Sequence, residues 1–109
     1  MNAEELRHLL ADKPLVLDGG LATELENQGH ALNDSLWSAR LLSDSPGAIV
    51  ETHLSFLRAG ANIITSCSYQ ATVDGLMKKL RVTQERAETY IGNSVELARE
   101  ARAQFQKEP

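Results

Sequence analysis

Cysteine is almost missing from this chain: Cys67 stands alone, so no disulfide can form within it, and one thiol fits a reducing compartment. No apolar run approaches the roughly 20 residues needed to span a bilayer. The opening Met1-Asn2-Ala3-Glu4-Glu5-Leu6-Arg7 is acidic and lacks the basic and apolar regions of a signal peptide. Basic runs are missing as well, and a net charge of −4 gives no electrostatic footprint for nucleic acid. Together these absences predict a cytoplasmic protein with neither a membrane nor a nucleic acid as partner. No internal repeat, low-complexity tract or linker divides the chain. What remains is ordinary for a soluble globular protein, 109 residues at 42% hydrophobic and 24% charged.

Within that plain composition one segment stands out. Leu15-Val16-Leu17 suits a buried strand and runs straight into Asp18-Gly19-Gly20, after which Leu21-Ala22-Thr23-Glu24-Leu25-Glu26 favours a helix. This is how a strand ends at a ligand site. The strand fixes a carboxylate, the glycines admit a ligand to bare backbone, and the helix start adds oriented N–H groups. The plainer explanation is that Asp18 caps the helix and the glycines only make the turn.

Along the chain, residues 3–11 read as a short helix with Leu6, Leu9 and Leu10 on one side, and Pro14 ends the helical option. Leu15 to Asp18 are the first predicted strand, and Ala22 to Gln28 a short helix stopped by Gly29. Asn33-Asp34-Ser35 caps a second short helix that carries Trp37, Ala39, Leu41 and Leu42. Asp44-Ser45-Pro46 is a helix start with a capping side chain ahead of a proline. Val50, His53, Leu54 and Leu57 then form an amphipathic face that Gly60 closes. Asn62 to Cys67 are the second predicted strand, apolar at first and small and polar at its end. A helical segment follows around Val73 to Leu80. Thr83 opens the longest helix, with Ala87, Tyr90, Ile91, Val95, Ala98 and Phe105 at helical spacing, and Gln104 to Pro109 drift into a polar end.

Two strands joined through helices make a βαβ unit, paired in parallel with a right-handed connection. Both strands turn polar at their C-terminal ends, where α/β folds place ligands. Two parallel strands do not form a stable sheet alone. The pattern therefore predicts an α/β fold, the N-terminal βαβα portion of a (β/α)8 TIM barrel, incomplete as given because such barrels take about 250 residues.

Four motifs in order carry a resemblance. They are Asp18-Gly19-Gly20 with Ala22-Thr23-Glu24-Leu25-Glu26, Asp34-Ser35-Leu36-Trp37-Ser38-Ala39, Arg58-Ala59-Gly60-Ala61-Asn62, and Ser68-Tyr69-Gln70-Ala71-Thr72. The chain resembles the N-terminal part of the homocysteine S-methyltransferase family, nearest to the branch that uses S-methylmethionine, and the similarity continues through Ser94 to Arg99. The resemblance implies that residues 1–109 are part of one homocysteine-binding barrel domain. It implies transfer of a methyl group from S-methylmethionine, or S-adenosylmethionine, to homocysteine, giving methionine. It also implies a zinc ion that holds the homocysteine sulfur as thiolate, the form in which a thiol is nucleophilic.

Carried across by position, Asp18 and the Gly19 backbone match the family's homocysteine-binding pair, with the carboxylate on the substrate ammonium. Thr23 and Glu24 match the S-methylmethionine branch's signature. Trp37 corresponds to an active-site tryptophan whose face suits a sulfonium, with core packing as its plainer role. Tyr69 corresponds to an aromatic residue near the substrate. The family's three zinc-ligating cysteines belong to later segments, which the resemblance puts beyond Pro109. It therefore places neither a catalytic residue nor a metal ligand in this chain, which is expected to be inactive alone.

Other candidates carry less. Cys67 lacks partner ligands and reads as inert core. His8, His30 and His53 show no ligand spacing, and His53 reads as a satisfied packing histidine. Glu4-Glu5 and Glu24-Glu26 do not face one another on a helix and make no carboxylate dyad. Two rival readings stay open. One is a non-catalytic chain that self-associates, or joins a partner barrel, through unpaired strands. The other is a different barrel enzyme, an aldolase or a phosphate-binding isomerase.

Overall fold

The computed structural model describes residues 1–30, 40–68 and 71–109. Among these residues six helices follow one another: α1 (Ala3–Asp12), α2 (Leu21–Asn27), α3 (Leu41–Asp44), α4 (Pro46–Arg58), α5 (Val73–Leu80) and α6 (Gln84–Gln106). Among the described residues no helix is long and apolar enough to cross a membrane.

Local chemistry explains the helix ends. Asn2, Thr72 and Thr83 accept hydrogen bonds from the backbone N–H groups of Glu5, Gly75 and Arg86, opening α1, α5 and α6. At α4, Pro46 occupies the first turn, where its missing N–H costs nothing, but Ser45 makes no side-chain cap bond. Both α2 and α4 close with the same glycine motif. Gly29 (φ 98°) and Gly60 (φ 114°) take the left-handed conformation. His30 N–H then reaches Leu25 O, and Ala61 N–H reaches Phe56 O.

α4 is the centre of the packing. Its Ile49 joins a core with Leu25, Leu41, Leu42, Cys67, Leu76 and Ala87. Its Val50, Leu54 and Leu57 join a second core with Ala101, covered by Ile64, Leu97 and Phe105. α6 packs against α4, and its buried residues Ala87, Ser94 and Ala101 are all small and spaced seven apart. α1 buries none of its residues, and Leu9 and Leu10 are exposed.

The predicted α/β architecture is not what forms. Among the described residues there is no strand and no βαβα unit; the two predicted strands meet at one isolated parallel bridge, Leu17 with Ile63. The reason lies in the hydrogen bonds on either side. Ile63 N–H donates to Val16 O (3.2 Å) and Asp18 N–H to Ile63 O (3.0 Å), as a parallel ladder requires. The next rung on each side is completed by a side chain. Val16 N–H donates to Asn62 Oδ1 (2.9 Å), and Thr65 N–H donates to Asp18 Oδ2 (2.8 Å). Side-chain oxygens thus stand where neighbouring carbonyls would, and the backbone pairing stops after a single bridge.

Candidate functional site

The end of that bridge holds the acid singled out in the sequence. Asp18 is half-buried, and both of its oxygens are bonded to one residue: Oδ2 accepts from Thr65 N–H and Oδ1 accepts from the Thr65 hydroxyl at 3.0 Å. Gly20, not Asp18, occupies the cap position of α2, and that end has no side-chain cap. The capping explanation of Asp18 is therefore excluded. An ionised carboxylate offers about four lone-pair sites, and Thr65 occupies one on each oxygen.

The two glycines differ in their surroundings. A Cβ at Gly19 would lie 3.7 Å from the Phe56 ring, an ordinary contact. At Gly20 it would come within 3.1 Å of Thr23 Oγ1 and 3.3 Å of Thr23 Cβ, so the absence of a side chain lets α2 turn tightly against the loop. Thr23 is exposed on that first turn. Glu24 accepts a bond from Gln28 Nε2 (3.4 Å) one turn later, and the same amide donates to Thr52 Oγ1 (3.1 Å) on α4. Thr52 in turn donates to Ala48 O (2.8 Å). The end of α2 is thus tied to α4 through the Gln28 amide. Asp18, Gly19, Thr23 and Glu24 belong to one short stretch of the chain. Trp37 and Tyr69 lie outside the described residues.

His53 differs from its sequence reading. It is fully buried on α4, as a packing histidine should be, yet neither ring nitrogen has a hydrogen-bond partner among the described residues. Burial pushes its imidazole below the ordinary value of 6.5, with the Asp18 carboxylate pulling partly the other way. A neutral His53 leaves the negative charge of Asp18 uncancelled. Thr65 was not singled out from the sequence. Its one signal was position, two residues past Ile63 on the polar end of the second predicted strand.

No group of three or more His, Cys, Asp or Glu side chains among the described residues is placed to hold a metal ion. Cys67 is buried in the first core. The donor set present does not fit the zinc that the resemblance implies, and the cysteines expected beyond Pro109 are not among these residues. Pro109 itself is an exposed residue past the end of α6 and adds nothing to the site.

Comparison with known proteins adds the wider context. Residues 15–109 match the family model described as homocysteine S-methyltransferase. The chain is 54% identical over 94 residues to homocysteine S-methyltransferase 2 of Zea mays, covering 86% of this chain and 27% of that protein. It is 51% identical over 90 residues to selenocysteine Se-methyltransferase of Brassica oleracea var. italica, covering 83% of this chain and 26% of that protein. Among solved structures it is similar to the metallated form of the homocysteine methyltransferase MmuM from Escherichia coli, with a TM-score of 0.82 and 46% identity. That match covers 92% of this chain and 35% of the other. The chain spans about a quarter of the length of the curated relatives it matches.

Proposed function

Because the chain belongs to the homocysteine S-methyltransferase family, we propose that it forms the amino-acid-binding wall of an enzyme that methylates homocysteine. The observation that carries this reading is the Asp18 carboxylate, half-buried, fixed through both oxygens by Thr65 and free of any capping duty. Its remaining lone pairs would accept N–H bonds from the α-ammonium of homocysteine, a charge-assisted contact of roughly 1.5–3 kcal/mol. The Gly19 backbone follows it directly in the chain, and Thr23 and Glu24 would border the same ligand. Trp37 would offer its face to the donor sulfonium, and Tyr69 would line the same pocket.

The donor we propose is S-methylmethionine, with S-adenosylmethionine as the lesser choice. The homocysteine sulfur, having lost its proton, attacks the methyl carbon. The bond from that carbon to the donor sulfur breaks, its electron pair stays on the donor sulfur, and the sulfonium becomes a neutral thioether. With S-methylmethionine, both products are methionine. The task of the chain's own residues is to bind and orient, since the donor already carries its leaving group. Zinc would have to be held by residues other than the described ones, and the 109-residue chain is expected to show no turnover alone. Selenocysteine, named for the Brassica relative, carries the same α-ammonium, so the Asp18 contact would serve either acceptor. The family description favours homocysteine.

The test is Asp18→Asn in a full-length enzyme that carries this segment together with the metal-holding residues. It keeps an oxygen for Thr65 and removes the charge, and it should weaken homocysteine binding about 10- to 100-fold with bound metal unchanged. Loss of metal at unaltered homocysteine affinity would overturn the role given to Asp18.

A second reading, association with a second copy of the chain, is favoured by one observation. Val16 and Leu17, at the open side of the bridge, are 55% and 63% exposed.

A further inference from the structure

The geometry points to Thr65 as the residue that positions the Asp18 carboxylate for the substrate ammonium, an inference that rests on the proposed function above. The torsion that turns an aspartate carboxylate about its Cβ–Cγ bond is soft, with broad minima. One hydrogen bond would leave the group free to swing about the bonded oxygen. Here two bonds from one residue reach two different oxygens, Thr65 N–H to Oδ2 at 2.8 Å and the Thr65 hydroxyl to Oδ1 at 3.0 Å. Together they fix the plane of the carboxylate, and its free lone pairs keep one direction.

The backbone beneath is fixed in the same way. Asp18 N–H is bonded to Ile63 O, two residues before Thr65, so both ends of the aspartate are referred to one segment. The division of labour is informative. The Thr65 N–H bond takes the place of a ladder rung and belongs to the fold. The hydroxyl bond replaces no rung, so its effect falls on the orientation of the acid. Thr65 is itself exposed; its hydroxyl is not held there by burial. A cation bound with a fixed direction gains from a preset partner, because the ordering cost is met before binding.

The experiment compares Thr65→Val and Thr65→Ser in a full-length enzyme that carries this segment together with the metal-holding residues, using homocysteine and 4-mercaptobutyrate, the same thiol acid without its amino group. Valine keeps the shape and the backbone N–H but removes the hydroxyl. It should lower the preference for homocysteine over 4-mercaptobutyrate in kcat/KM about tenfold, through the homocysteine KM. The serine variant should return the preference to within about twofold of the parent. General damage to the fold would impair both thiols alike, so the ratio reads positioning even if Thr65→Val is less stable. An unchanged ratio in Thr65→Val, or a serine variant as impaired as valine, overturns the proposal. Asp18→Asn separates the two levels: if it leaves the ratio intact, the ammonium contact itself is wrong. If it collapses the ratio while Thr65→Val does not, only the positioning role fails.

Discussion

His53 is the residue at which burial and chemistry disagree most. Its two ring nitrogens are enclosed and unpaired among the described residues, and each such group costs about 1–3 kcal/mol of desolvation. Burial lowers its pKa, and among the described residues the charge of Asp18 acts in the opposite direction. The sign of the pH dependence follows. The unfolded chain takes up this proton near the ordinary value of 6.5, before the folded chain does. Stability from a neutral His53 is therefore complete above about 6.5 and is lost as pH falls from there through the lowered folded value. Urea melts at pH 7.5 and 5.0 should show a smaller loss for His53→Leu than for the parent; an equal loss would place the sensitivity elsewhere. The sequence told half of this. Its spacing with Val50, Leu54 and Leu57 put His53 on the buried face, but spacing says nothing about whether two ring nitrogens find partners.

At the scale of elements, legibility depended on where the deciding atoms sit. Thr72 and Thr83 act on N–H groups three residues away, so α5 and α6 begin where the sequence places them. Gly60 closes α4 through bonds to its own last turn and was equally readable. The two strands were not, because their fate turned on contacts between residues 46 and 47 positions apart, Asn62 with Val16 and Thr65 with Asp18. Nor was the seam of α6. Spacing alone puts Val95 on the buried side, yet it is 44% exposed, while the small residues Ser94 and Ala101 lie inside. Hydrophobic periodicity gives little weight to small residues, and close helix packing selects them. One element boundary is strained. Arg81 follows α5 in the left-handed conformation at φ 55°, which disfavours a residue with a Cβ. Arg81→Gly should raise stability by roughly 0.5–1 kcal/mol in denaturant melts; a drop would mean that the Arg81 side chain contributes more than its backbone costs.

For the whole molecule, the open side of the bridge matters most. Val16, Leu17 and Ile63 are exposed together, and Val95 of α6 is exposed as well. Apolar segments with unpaired backbone groups recruit other chains. Size exclusion of the 109-residue chain at rising concentration should move from monomer toward dimer, and Leu17→Lys should hold it monomeric. A parent that stays monomeric throughout would remove the self-association reading. The family was legible from four motifs in order, and the matches to its members agree. The architecture was not legible, because a strand pattern in sequence becomes a sheet only when backbone partners are present on both sides.

The structural bonds of Asp18, beside the ligand role proposed for it, have a consequence for how such chains drift. The oxygen that would greet a substrate also stands in for a backbone carbonyl opposite Thr65. A descendant with no need of a ligand at this position would still be penalised for placing an aliphatic residue there, but asparagine would satisfy the local geometry. Retention of an acid or amide at position 18 therefore reports inheritance of the turn, and only the charge itself carries information about a ligand.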